Sequence, residues 1–172
     1  QSLDLEVFAV GSGGYGSLQE LMLLDEFMDR IQPDLILWQF CFNDFIDNSY
    51  DLSLEWKAGS LALTRPFWVK NGITYRMAKP YPWFREIANK RSRLLYLLTT
   101  RLDMLLSPPP NKDLLVEDIV SHGSRHPGFM ASVSTTNEIM KMAKKRAGLT
   151  PVVVFEACTT GSPFYPALQE IC

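Results

Sequence analysis

Two apolar runs, LEVFAV at residues 5–10 and LILWQFCF at residues 35–42, flank a stretch whose apolar residues recur at helical spacing. This order narrows the possible folds more than any other feature of the sequence. Nearly continuous apolar runs rich in β-formers predict strands covered on both faces, as in a parallel sheet. Between them Leu21, Leu24, Met28 and Ile31 share one helical face, while Gln19, Glu20, Asp25, Glu26, Asp29 and Arg30 occupy the rest. Ser17-Leu18-Gln19-Glu20 fits a capping box that starts this helix just after a glycine loop, and Pro33-Asp34 stops it. The unit is therefore strand, glycine loop, helix, strand, and its crossover should be right-handed.

The remaining pattern continues the alternation around an interruption. FWVKNGITY at residues 67–75 sets Asn71-Gly72 between two β-prone arms and predicts a hairpin. With Tyr50, Trp56, Tyr81, Trp83 and Phe84 around it, this forms an aromatic-rich insertion at about residues 48–112, outside the central sheet. A helix is expected over about 85–106, ended by Ser107-Pro108-Pro109-Pro110, and residues 111–128 read as loop with at most short helix. Thr135-Thr136-Asn137-Glu138 is a second capping box. It opens a helix whose Lys141, Lys144, Lys145 and Arg146 lie toward the negative C-terminal end, as a solvated basic face would. VVVFEA at residues 152–157 is a third buried strand, and a helix follows from residue 164. The expected class is α/β, a three-layer α/β/α sandwich on a parallel sheet, with residues 1–172 forming one partial domain.

Composition removes several partners. The net charge of −2 leaves no basic excess to neutralise a phosphate backbone, so nucleic acid is not expected. The most apolar helical stretch, residues 94–106, is broken by Arg101 and Asp103 and falls short of the roughly 20 residues a bilayer span needs, so no transmembrane segment is expected. Cys41, Cys158 and Cys172 are odd in number and form no C-x-x-C pair, so they read as buried or incidental thiols, not as a disulfide framework or a zinc knuckle.

The glycine loop AVGSGGYGSLQ contains G-x-G-x-x-G at Gly11, Gly13 and Gly16. A dinucleotide site would want an acidic residue about 20 residues on, at the end of the second strand. Counting forward reaches Asp34, which precedes that strand, and the strand's end carries Asn43-Asp44 instead. The loop and the FNDF segment fall at the carboxyl ends of neighbouring strands, where open α/β sheets build their sites. A glycine N–H can approach a ligand closely, and an asparagine amide offers two uncharged donors. Together they suit an oxyanion hole.

Those segments resemble the SGNH (GDSL-type) hydrolases, esterases and lipases on a flavodoxin-like α/β/α sandwich. The resemblance lies in Gly14-Tyr15-Gly16-Ser17-Leu18-Gln19, Pro33-Asp34-Leu35-Ile36 and Asn43-Asp44-Phe45. It is good over about residues 5–48 and looser beyond. It implies that Gly14 and Asn43 are the oxyanion-hole donors, that the substrate is a small-molecule ester, for which an acylated carbohydrate is one candidate, and that no metal or organic cofactor is used. The aromatic insertion would then shape the substrate pocket or simply pack. The Gly-Asp-Ser block that carries the family's nucleophile is absent, Cys41 stands where the asparagine block normally opens with Gly, and there is no closing Asp-x-x-His block. Asp118 and His122 have the wrong spacing and precede the third strand, His122 and His126 read as loop residues, and Ser12 is poorly placed as a nucleophile. The resemblance thus implies the interior of a longer serine ester hydrolase, catalytically incomplete by itself. A noncatalytic α/β binding module and a dinucleotide-binding domain stay open as alternatives. Titration with NADH, NADPH, FAD and ATP should show no saturable binding; stoichiometric binding abolished by Gly13→Val would restore the dinucleotide reading.

Overall fold

The computed structural model describes residues 4–56, 64–70, 72–77, 83, 87, 90–106, 112–156 and 164–171. Its elements in chain order are α1 (Ser17–Ile31), β1 (Ile36–Phe40), α2 (Asn43–Asp47), α3 (Tyr50–Trp56), β2 (Thr64–Val69) and β3 (Gly72–Met77). They continue with α4 (Arg93–Leu106), α5 (Lys112–His122), a 3₁₀ turn at Gly123–Arg125, α6 (Pro127–Ala147), β4 (Val152–Glu156) and α7 (Tyr165–Ile171). The class is α/β: β1 and β4 pair in parallel, from Ile36 opposite Val152 to Phe40 opposite Glu156.

One face of this pair is covered. Trp38 packs with Met140 and Ala143 of α6 and with Leu21 and Leu24 of α1, and Arg146 joins the two helices through Asp25 at 2.7 Å and Asp29 at 2.9 Å. At the carboxyl end of β1 the core turns aromatic. Phe40 meets Phe45 edge-on at 5.0 Å, Phe45 meets Phe129 at 5.4 Å and Phe129 meets Phe164 at 5.3 Å. Leu52 of α3, Leu115 and Ile119 of α5 and Leu168 of α7 complete this cluster. On the opposite face Leu37, Val153 and Phe155 are exposed. The apolar runs therefore contain side chains for two covered faces, and one is covered among the described residues.

Residues 5–10, expected as the first strand, are not one. A strand requires a partner for its backbone groups, and among the described residues β1 pairs with β4 alone. The run is exposed, Val7 by 83%. Residues 7–13 and 36–39 instead form the two sides of an open groove of about 620 Å³. Both sides are runs of consecutive residues. Since successive strand side chains point to opposite faces, the β1 side is a backbone edge.

The hairpin is present, with β2 and β3 antiparallel and Val69 opposite Gly72, so its turn falls one residue earlier than expected and includes Lys70 at φ 46°. The hairpin reaches the main body through Phe67, whose ring meets Tyr50 of α3 edge-on at 5.4 Å, while Arg76 lies over the same Tyr50 ring at 5.0 Å. Tyr81, Phe84 and residues 107–110 lie outside the described residues. Leu94, Leu95, Leu97, Leu98, Leu102 and Leu105 of α4 are exposed.

Four other expectations need correction. Residues 112–122 are helical, because Leu115 and Ile119 stand one turn apart and both bury, a pattern masked by the polar residues around them. The next helix starts at Pro127, well before Thr135. His126 is its cap, with Nδ1 accepting from the Phe129 N–H at 3.0 Å and a proline in the first turn. At α1 the cap is Gly16, not Ser17; glycine has no side chain, so only the return half of a capping box forms, the Gln19 Oε1 accepting from the Gly16 N–H at 3.0 Å. Finally, Cys41 is disulfide-bonded, its partner lying outside the described residues. Sequence spacing reports local pairs, whereas a disulfide joins cysteines that the fold brings together. No helix among the described residues is long and apolar enough to cross a membrane.

The two faces of β1 should respond differently to substitution. Phe40→Ala should cost about 3–5 kcal/mol in denaturant unfolding, whereas Leu37→Lys should stay within about 0.5 kcal/mol and reduce self-association measured by light scattering. Equal losses from the two would contradict the one-sided coverage described here.

Candidate functional site

The glycine loop enters α1 by way of two glycines that cannot be replaced freely. Gly14 has φ 86°, a conformation that side chains with a Cβ rarely adopt. Gly16 has ordinary φ, but a Cβ there would stand 3.0 Å from Asp47 Cβ and 3.4 Å from Asn48 Oδ1. α2 therefore lies directly against the start of α1. Gly16 C=O accepts from Gln19 N–H at 2.9 Å and from Glu20 N–H at 3.2 Å. The Gly14 N–H makes no hydrogen bond among the described residues.

Asn43 is the first residue of α2, three residues past β1. Its Nδ2 donates to Asp47 Oδ2 at 2.9 Å, one turn along the same helix, which leaves the second amide hydrogen free. The chain turns from β1 into α2 through a reciprocal pair: Cys41 N–H donates to Asp44 Oδ2 at 2.8 Å, and Asp44 N–H donates to Cys41 C=O at 2.8 Å. The Asp44 carboxyl thus closes the turn that begins at Cys41. Buried polar contacts fix α2 further. Asn48 Nδ2 donates to Thr136 Oγ1 at 2.9 Å, Ser53 Oγ donates to the Ile46 carbonyl at 2.9 Å, and Ser132 Oγ donates to the Phe45 carbonyl.

The two sequence-selected residues are joined by a side chain that sequence reading missed. Arg65, on β2 and only 6% exposed, donates from Nη1 to Asp47 Oδ1 at 2.7 Å and from Nη2 to the Gly14 carbonyl at 2.8 Å and Gln19 Oε1 at 3.1 Å. Gly14 and Asn43 are thereby brought to the same end of β1. No local motif marks Arg65, because its partners lie 18, 46 and 51 residues away.

Two more carboxyls surround this point. Asp44, 3% exposed, is pushed up to about 8, mainly by burial and further by the nearby Glu20 and Asp47 carboxylates; the Cys41 N–H and Arg65 offset this only in part. Burial also pushes Glu20 up to about 7. The Trp38 indole N–H lowers Glu20 somewhat, but neither Trp38 Nε1 nor Glu20 Oε2 makes a hydrogen bond of normal geometry.

The histidines lie elsewhere. His122 Nδ1 sits 3.0 Å from Asp118 Oδ1 and His126 Nε2 sits 3.1 Å from Asp118 Oδ2. Since His126 Nδ1 accepts the Phe129 N–H, its hydrogen resides on Nε2 and points at Asp118. Neither ring nitrogen of His126 is left to take a proton from a nucleophile. Ser12 sits in the groove wall, with its carbonyl accepting from Tyr15 N–H at 3.1 Å. Among the described residues no group of three or more His, Cys, Asp or Glu side chains could hold a metal ion.

Asp44 and Glu20 make stability depend on pH. Each binds its proton in the folded chain over a range where the unfolded chain has released it, so stability is full below about pH 4 with respect to these groups and declines as pH rises toward 7–8. Asp44→Asn keeps an acceptor for the Cys41 N–H and removes the larger contribution. Its melting temperature should fall less than the parent's between pH 5 and pH 8.5. A parent whose melting temperature rises over that interval would refute the burial of protonated carboxyls.

No family model matches the sequence, and comparisons with curated proteins and with solved structures likewise found no match.

Proposed function

We propose that this chain supplies the oxyanion-binding part of a serine ester hydrolase, with the Gly14 N–H and the Asn43 Nδ2–H as donors. One observation carries the reading: both donors have a hydrogen without a partner among the described residues, at the same end of β1, and both are held through one network. Uncharged donors held in advance stabilise the negative oxygen that develops when an acyl carbonyl is attacked, and they need no rearrangement at that moment. The nucleophilic serine, its histidine base and the orienting aspartate are assigned to residues outside this chain, since the Asp–His pairs among the described residues are committed to a helix cap or to an exposed helix surface.

The acidic surroundings favour this reading over pyrophosphate binding. Asp47 already covers the N-terminus of α1, where a bound phosphate would sit. A neutral acyl ester placed there avoids the repulsion that a dianion would meet. The fold assigned with this function is the three-layer α/β/α sandwich of SGNH hydrolases, and the substrate is a small-molecule ester.

The 172-residue chain alone should show no turnover of p-nitrophenyl acetate. The intact protein should hydrolyse it and be labelled by a fluorophosphonate on a serine outside residues 1–172. Asn43→Ala in the intact protein should lower kcat by about 10²–10³ with a much smaller change in KM. Serine-dependent turnover by the isolated chain, or an Asn43→Ala variant with parental kcat, would defeat the assignment.

A further inference from the structure

We infer that Arg65 is a positioning residue that sets both proposed oxyanion donors at once, which makes the β2–β3 hairpin part of the catalytic apparatus and not only a wall beside it. The inference rests on the oxyanion-hole reading above. Its physical basis is the way a single planar guanidinium divides its hydrogen bonds. Nη2 holds the Gly14 carbonyl at 2.8 Å, and Tyr15 N–H, on the same peptide unit, donates to Ser12 C=O at 3.1 Å. That peptide unit is thus pinned at both ends. With the unit fixed, the φ and ψ of Gly14 decide where the preceding N–H points.

Nη1 of the same guanidinium holds Asp47 Oδ1 at 2.7 Å, and the other oxygen of that carboxylate accepts from Asn43 Nδ2 at 2.9 Å. Asp47 therefore uses one oxygen to anchor to Arg65 and the other to orient the Asn43 amide, which directs the remaining amide hydrogen. A third bond, from Nη2 to Gln19 Oε1 at 3.1 Å, reaches the side chain that caps the Gly16 N–H. Loop, helix cap and asparagine are referred to one rigid group. Lysine could keep the charge but not the fork: an ammonium is a point donor and cannot hold the carbonyl and the carboxylate in one plane.

The arrangement differs from a structural ion pair in what it should do to kinetics. A misplacement of donors by about 1 Å acts on the transition state and can cost about 10²-fold in rate, while substrate binding is largely spared. Arg65→Lys in the intact protein should therefore reduce kcat by about 10- to 10²-fold with KM within about twofold. Amide spectra of the same protein, labelled with ¹⁵N in glycine and asparagine, should show both the Gly14 amide and the Asn43 side-chain amide displaced. Asp47→Asn, which removes the carboxylate but leaves the Arg65 bond to Gly14, should displace the Asn43 resonance and leave that of Gly14 nearly in place.

The spectra answer separately from the kinetics. If the intact parent protein has no esterase activity, the hydrolase reading fails, and displacement of both resonances in Arg65→Lys still upholds the linkage. Gly14 and Asn43 resonances that stay at their parental positions in Arg65→Lys overturn the inference. So does a kcat equal to the parent's in a parent that is active. Should Arg65→Lys not fold, Asp47→Asn decides alone: an unmoved Asn43 amide overturns the proposal, and a selective shift of Asn43 supports it.

Discussion

The contact between Arg65 and Asp47 is the constraint on which the arrangement around α1 depends. It joins three parts of the chain that share no sequence neighbourhood: the glycine loop, the short helix after β1 and the hairpin. Each part alone is weakly determined. A loop with several glycines has wide conformational freedom, a five-residue helix is too short to be stable alone, and a two-stranded hairpin is marginal in water. A nearly buried ion pair, further satisfied by a backbone carbonyl and a side-chain amide, gives all three a common reference. Removing one partner would leave a charge with little water to solvate it.

The same contact explains the charge state of the surroundings. Three carboxyls, Glu20, Asp44 and Asp47, face one cation. Asp47 takes the cation directly at 2.7 Å. Asp44 feels Arg65 only as the weakest of the influences on it, and Glu20 has no cation among the influences on it. Burial then dominates for both and pushes them up, Asp44 to about 8 and Glu20 to about 7. An uncharged Asp44 can still accept the Cys41 N–H and so keep the turn into α2 while adding no negative charge beside the donors. If the site binds an oxyanion as proposed, neutral neighbours suit it, since a carboxylate there would oppose the developing charge.

What the sequence revealed and what it hid follow the range of the interactions. The parallel pairing of the runs at residues 35–42 and 152–157, the helix after the glycine loop and the hairpin near Asn71-Gly72 were legible, because periodicity and turn chemistry are local signals. Gly14 and Asn43 were singled out by a family resemblance, and the structure places both near the carboxyl end of β1, although the run expected as the strand before the glycine loop is not a strand. Arg65 was not legible, since a buried arginine before Pro66 in an otherwise aromatic hairpin resembles any surface residue of a strand. The α5 helix was missed for a related reason: two buried residues one turn apart, Leu115 and Ile119, suffice to dock it, and they are outnumbered by polar ones. The Cys41 disulfide depends on tertiary proximity that spacing does not encode.

Gly14 lies at the boundary between chain that is held and chain that is not. On its C-terminal side the Gly14–Tyr15 peptide is bonded at both its carbonyl and its N–H. On its N-terminal side, among the described residues, the single hydrogen bond to residues 4–13 is the one that Ser12 C=O accepts. The carbonyl that Arg65 grips belongs to the held peptide, whereas the N–H proposed to bind an oxyanion belongs to the peptide before it. Two dihedrals connect them, the φ and ψ of Gly14, and the φ sits at 86°, where a Cβ would be strained. The answer to why this loop is rich in glycine therefore differs along its length. Gly16 is needed so that α2 can lie against α1, and Gly14 is needed so that a donor can turn away from a network that has already used its carbonyl. Precision in the first peptide becomes precision in the second only through a residue free to adopt that angle.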